Sequence, residues 1–174
     1  ICSLEELKTA ITSYAVKINS NNWIIGHGWD EKKLFGGSFP DRKLLDQLCS
    51  DKPVILIRMD GHSLCLNSKG IELMKIDKMT PSSEIPFDEE GKATGMLYEN
   101  AANSVIQGIV EGFSEEYIEN LVLRAQELFL QNGISSVNDI CTLYGRYFDI
   151  YRKLQKSGKL KVRITTAPYG LDEE

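Results

Sequence analysis

The sequence predicts a mixed fold, α+β over its first part and α/β over the remainder. Three observations point there. Two apolar runs, residues 54–59 and 62–66, flank Asp60-Gly61, which is a hairpin signal. Beyond Ser114 the periodicity runs helix, strand, helix, strand, the connectivity of parallel packing. The two patterns meet near residues 110–115, and 174 residues with 42% hydrophobic and 26% charged side chains suffice for one or two small cores.

Residues 3–20 read as an amphipathic helix. Leu4, Leu7, Ile11, Tyr14, Ala15 and Ile18 recur at helical spacing, Ser3 and Glu6 form a capping box, and Asn19, Ser20, Asn21 and Asn22 end it. Residues 23–29 hold strand formers, but Gly26 and Gly28 around His27 predict a bend, a bulge or a close backbone approach. A turn-rich stretch at 35–40 leads into a short helix over 41–48, and Pro53 precedes the first strand of the hairpin. Asn67 and Ser68 cap a helix over 69–74. A Pro-rich passage over 80–86 and a turn at 88–91 separate it from an extended segment at 94–98, after which a helix begins at Glu99 or Asn100 and runs toward Ile109. Ser114 caps a strong helix over 115–131 with Gly133 beyond its end. A strand over 134–140, a helix over 144–155 and a strand over 160–166 complete the chain.

The formal net charge of −5 predicts no general attraction to nucleic acid or to an anionic membrane surface. Apolar stretches fall short of the roughly 18–20 residues that cross a bilayer. Cys2, Cys49, Cys65 and Cys141 form no CxxC pair and read mainly as buried thiols of a cytoplasmic protein. No HxH, HExxH, Walker A or dinucleotide fingerprint is present, and the GxG of Gly26 and Gly28 lacks the rest of that pattern.

Polar residues at predicted strand ends are the candidates for chemistry. Asp60 and His62 flank Gly61, so a carboxylate and an imidazole can share one cleft; His62 would relay protons or bind a metal while Asp60 orients it. The plainer alternative is a turn with an internally bonded histidine. Trp23 and Trp29 can line a pocket, with core packing as the alternative for both. Glu99, at a strand-to-helix transition, suits a general acid or base, one metal ligand, or an N-terminal cap. Asp139 follows Ser136, Val137 and Asn138; it can serve a site at the end of a barrel strand or cap a turn.

Several stretches, in this order, resemble the YtcJ-like group of metal-dependent amidohydrolases. They are Trp23-Ile24-Ile25-Gly26-His27-Gly28-Trp29-Asp30, Pro40 with Leu45-Asp46, Pro53-Val54-Ile55-Leu56-Ile57-Arg58-Met59-Asp60-Gly61-His62, Asn67-Ser68, Thr94-Gly95-Met96-Leu97-Tyr98-Glu99 and Gly133-Ile134-Ser135-Ser136-Val137-Asn138-Asp139. The resemblance implies an inserted α+β lobe attached to a partial metallohydrolase (β/α)8 barrel. Residues 1–19 would be a barrel-associated helix, 20–110 the lobe, and 111–174 a partial barrel segment.

It further implies hydrolysis of amide or other non-peptide C–N bonds by metal-activated water, with a divalent metal, zinc by expectation, in the full-length parent. Asp60, His62, Glu99 and Asp139 take active-site or supporting roles on that mapping; Trp29, Asp30 and His62 contact a small amide-like substrate, and Glu99 is the one metal ligand proposed. Asn138 departs from the histidine often found before Asp139. The family's HxH motif is expected upstream of Ile1 and its later ligands beyond Glu174, so the chain is expected to be an internal fragment, inactive and without metal alone. The alternatives are a non-catalytic small-molecule-binding module, and a homodimer through exposed barrel edges.

Overall fold

The computed structural model describes residues 1–19, 22–142 and 145–168. The expected turn residues Ser20 and Asn21, the expected helix start at Tyr144 and the side chain of Cys141 lie outside the described residues. The chain divides into two compact units, Ile1–Glu111 and Gly112–Glu174.

The first unit is built on a four-stranded sheet in the order β1-β2-β3-β4, with β1 at Ile24–Trp29, β2 at Val54–Arg58, β3 at Ser63–Leu66 and β4 at Met96–Tyr98. The hairpin read from Asp60-Gly61 is β2–β3, and β3–β4 is also antiparallel. β1 pairs parallel with β2, a pairing the local signals do not carry, because it depends on a crossover. That crossover contains α2 (Glu31–Leu34) and α3 (Arg42–Leu48). Both glycine expectations for β1 hold. Gly26 lies against the Leu56 side chain so closely that a Cβ would fall 2.6 Å from it, and Gly28, at φ +87°, stands where the β1–β2 register shifts.

Helix α1 (Leu4–Ala15) starts at Ser3, whose side chain accepts the Glu6 N–H, and ends short of the expected residue 20. Its Leu7 and Ile11 are buried with Ile24, Leu45, Val54 and Leu56. The start of α4 (Ser68–Met74) is fixed by Asn67, which is fully buried and fully bonded. Its Oδ1 accepts from the N–H groups of Val54 and Gly70 at 3.0 and 2.8 Å, and its Nδ2 donates to the carbonyls of Cys49 and Lys52, each at 2.8 Å. One amide side chain therefore caps a helix and ties it to the start of β2. Helix α5 (Glu99–Glu111) follows β4 without a connecting loop.

The second unit runs α6 (Glu115–Gln131), β5 (Ser136–Thr142), α7 (Gly145–Lys156) and β6 (Arg163–Pro168), and β5 and β6 pair in parallel. Both strands lie about two residues later than the apolar runs suggest. Ile134 is exposed, and Gln126 explains the late start of β6: its Oε1 accepts from Lys161 N–H and, at 3.2 Å, from Val162 N–H, holding residues 161–162 in place before the ladder begins. Ile118, Ile150 and Leu154 form the core of this unit. No helix among the described residues is long and apolar enough to cross a membrane.

Candidate functional site

Sheet direction gathers the candidates of the first unit. β1, β2 and β4 run one way and β3 the other, so the ends of three strands and the start of the fourth meet at one sheet end. Asp30, Asp60, His62 and Glu99 follow directly from that topology. The sheet brings together residues that are 69 positions apart between Asp30 and Glu99.

Asp60 and His62 lie in the β2–β3 turn over Gly61. Asp60 Oδ1 accepts the His62 N–H at 2.9 Å, and Asp60 Oδ2 is bonded by Arg58 Nη1. Burial alone would raise the Asp60 carboxyl, but the His62 N–H and the Arg58 guanidinium outweigh it and hold the group below the usual carboxylate range. The His62 carbonyl accepts the Glu99 N–H at 2.7 Å, and His62 Nδ1 lies 3.1 Å from Glu99 Oε2. Both side chains are well exposed, at 67% and 60%.

Glu99 has φ +46°, a conformation that a residue with a Cβ adopts at a cost. The capping alternative for its carboxylate is not what the structure uses. Glu84, from the Pro-rich passage, accepts the Ala101 N–H at 3.0 Å and the Asn100 side-chain amide at 3.4 Å, and its own carbonyl takes the Tyr98 N–H. With a remote carboxylate serving the helix start, Glu99 faces His62.

Trp29 is packed in the core of the first unit. It is 5% exposed, its indole N–H donates to the Leu56 carbonyl at 3.0 Å, and its rings pack edge-on against Phe35 and Phe39. The packing alternative given for this indole describes its position, because a large aromatic with a satisfied N–H gains most by burial. Asp30 caps α2, its Oδ1 accepting the N–H groups of Lys32 and Lys33 at 2.9 and 3.1 Å. Asp139 belongs to the second unit. It lies within β5 and accepts the Tyr151 hydroxyl at 3.0 Å beside a cavity of about 320 Å³ walled by Val122, Phe129, Val137 and Ile164. Burial, then the Asp139 charge, raises the Tyr151 hydroxyl.

Two residues of this site escape the reading of candidates from sequence. Arg58 ends the otherwise apolar run of β2, and its guanidinium makes paired bonds of 2.9 Å to both carboxylate oxygens of Glu31. A lone charge closing a buried strand was the available signal. For Glu31 no local signal existed, since its partner lies 27 residues away.

Among the described residues no three His, Cys, Asp or Glu side chains converge to hold a metal ion. His62 and Glu99 supply two donors, fewer than the three protein ligands usual even at an open zinc site. Cys49 and Cys65 are buried thiols, each raised by burial first, in keeping with the reading of the cysteines as mainly buried, while Cys2 is exposed. The described residues therefore do not by themselves complete a metal centre.

Known proteins share this chain's sequence and fold. It is 29% identical over 112 residues to the putative amidohydrolase YtcJ of Bacillus subtilis, covering 63% of this chain and 21% of that protein. An N-substituted formamide deformylase of Arthrobacter pascens is 26% identical over 170 residues, covering 92% of this chain and 30% of its own length. A crystal structure of an uncharacterized metal-dependent hydrolase from Pyrococcus furiosus superposes with a TM-score of 0.63 at 28% identity, covering 97% of this chain and 32% of that one. This chain thus spans a third or less of the length of these three proteins. The amidohydrolase family profile matches residues 2–174, and the chain belongs to that family.

Proposed function

We propose that this chain forms part of a metal-dependent amidohydrolase that cleaves amide or other non-peptide C–N bonds of small molecules, and that His62 and Glu99 are its proton-handling pair. The observation that carries the reading is the state of Glu99: left-handed, released from helix capping by Glu84, and within hydrogen-bond reach of His62. Backbone strain retained at a residue whose carboxylate is not used as a helix cap favours a functional role for it. The kinship with an N-substituted formamide deformylase supports a small N-substituted amide as substrate class.

In this reading a divalent metal, for which zinc is our expectation, is held by residues other than those described, and when bound it supplies an activated water. The chain's own residues do the rest. The carboxylate of Glu99 takes up a proton at Oε1 or Oε2, and His62 steadies it through Nδ1. Return of that proton to the departing nitrogen makes the amine a competent leaving group. Asp60 fixes the backbone of His62. Parallel β5 and β6, joined by α7, support the reading of the second unit as two strands of a (β/α)8 barrel. We place the protein in the cytoplasm.

The test is turnover of a panel of N-substituted formamides and N-acyl amines by the complete protein, before and after chelation and after reloading with zinc, manganese or iron. Amine release that disappears on chelation and returns with one metal is the expected result. Specific small-molecule binding without turnover in any metal state would replace the hydrolase by a binding module.

A further inference from the structure

We propose that Arg58 is the positioning residue of this site, the group that fixes the His62–Glu99 pair in place from beneath. The inference rests on the hydrolase reading for its catalytic meaning and on geometry for its substance. Arg58 ends β2, the strand flanked by β1 and β3, after four largely buried apolar residues, so its Cα is held by the sheet. Its guanidinium is engaged on three sides. Nε and Nη2 bond the two oxygens of Glu31 at 2.9 Å each, Nη1 bonds Asp60, and the plane lies over the Phe39 ring at 5.8 Å. Its side chain is 23% exposed and that of Glu31 16%.

A lone surface ion pair fixes little, because two long side chains lose entropy to hold one weak contact. A planar fork held by two carboxylates and an aromatic face differs, since each contact restrains the same rigid group. The restraint is then passed on. Asp60 bonds Arg58 through Oδ2 and the His62 N–H through Oδ1; the His62 carbonyl bonds the Glu99 N–H. Four successive links therefore run from Glu31 in α2 through Arg58, Asp60 and His62 to the left-handed residue that carries the proposed acid–base group, and Arg58 is the one residue that joins the first link to the second.

Charge alone does not explain the arrangement. The single positive charge of Arg58 meets two carboxylates, which leaves little net field for the pair beyond Asp60. The role assigned is geometric, and that separates two substitutions. Arg58→Lys keeps the charge but cannot make a three-way fork, while Arg58→Met removes charge and fork together. Both are expected to fail alike.

The experiment uses the complete protein with Arg58→Met, Arg58→Lys, Asp60→Asn and the Arg58→Met/Asp60→Asn double variant. Steady-state kinetics are read with whichever N-substituted formamide the unaltered protein hydrolyses. Hydrogen–deuterium exchange, resolved by mass spectrometry, is read at His62 and Glu99 and compared with residues 54–57. Both Arg58 variants should lose about 100-fold in kcat, the scale of a small misplacement of a catalytic group, with KM held within roughly threefold. The double variant should be no worse than the poorer single, as residues acting in one series are not additive. Exchange at His62 and Glu99 should rise about tenfold or more while residues 54–57 stay protected.

Restoration of kcat by Lys, or losses that multiply in the double variant, would overturn the proposal. So would exchange at His62 and Glu99 that does not change, or that rises together with the whole of β2. Absence of turnover by the unaltered protein would defeat the hydrolase reading separately, and the exchange measurement would then decide alone whether Arg58 holds the turn.

Discussion

Glu99 is where sequence and conformation conflict most visibly. A left-handed residue with a Cβ costs roughly 1–2 kcal/mol, and glycine adopts the same φ without that cost. Glu99→Gly should therefore be more stable than Glu99→Ala by about 1 kcal/mol, the reverse of the order expected inside a helix. Urea unfolding followed by tryptophan fluorescence checks this, since Trp23 and Trp29 are the chain's two tryptophans and both lie in the first unit. Glu31 and Asp60 give a second prediction. The bond from Arg58 lowers the Glu31 carboxyl, and Asp60 is lowered against its own burial. Groups with depressed folded values stabilise the fold above their unfolded values, near pH 4, and that contribution is lost as pH falls through the folded ones. Acid titration of Glu31→Gln and Asp60→Asn should give a shallower loss of stability below about pH 4 than the unaltered chain gives. Equal acid slopes in all three would contradict the Arg58 network.

At the scale of elements, Asn67 carries the most structure per side chain. Asn67→Ala leaves two N–H groups and two carbonyls at the α4–β2 corner without partners, so a loss of about 2–4 kcal/mol is expected in the same urea experiment. Ser68→Ala, which removes one exposed bond to Asp46, should cost well under half of that. These elements also mark what the sequence made legible. The β2–β3 hairpin, the cap at Asn67, the bulge near His27 and the helix from Ser114 were readable because each is decided within a few residues. The parallel β1–β2 pair was not, because nothing local to residues 24–29 encodes a partner 30 positions on. Among site residues, Asp60 and His62 were legible from one turn and Glu99 from one junction. For Trp29 the choice between pocket lining and packing stayed open because burial of an indole is a tertiary outcome, and Arg58 was passed over because its partners Glu31 and Asp60 come from different elements.

For the whole molecule, the two units offer different kinds of support. In the first, one end of each of the four strands converges, and all the polar residues of the proposed machinery belong to that one compact body. In the second, a two-stranded parallel sheet has Ser136, Asn138, Arg163 and Thr165 exposed along one face, whereas parallel sheets are ordinarily covered on both. That face is therefore one that a further layer of the complete protein would cover, in keeping with relatives about three times as long. In this unit Asp139 accepts the Tyr151 hydroxyl and so ties α7 to β5. The proposed acid–base chemistry lies in the other unit. It is tested most directly by measuring turnover and bound metal together in the complete protein, unaltered and with Glu99→Gln. Bound metal that is unchanged while kcat falls about 100-fold or more is the result expected of a proton-transfer group that is not a metal ligand. Full turnover by Glu99→Gln, or loss of the metal with it, would contradict the account.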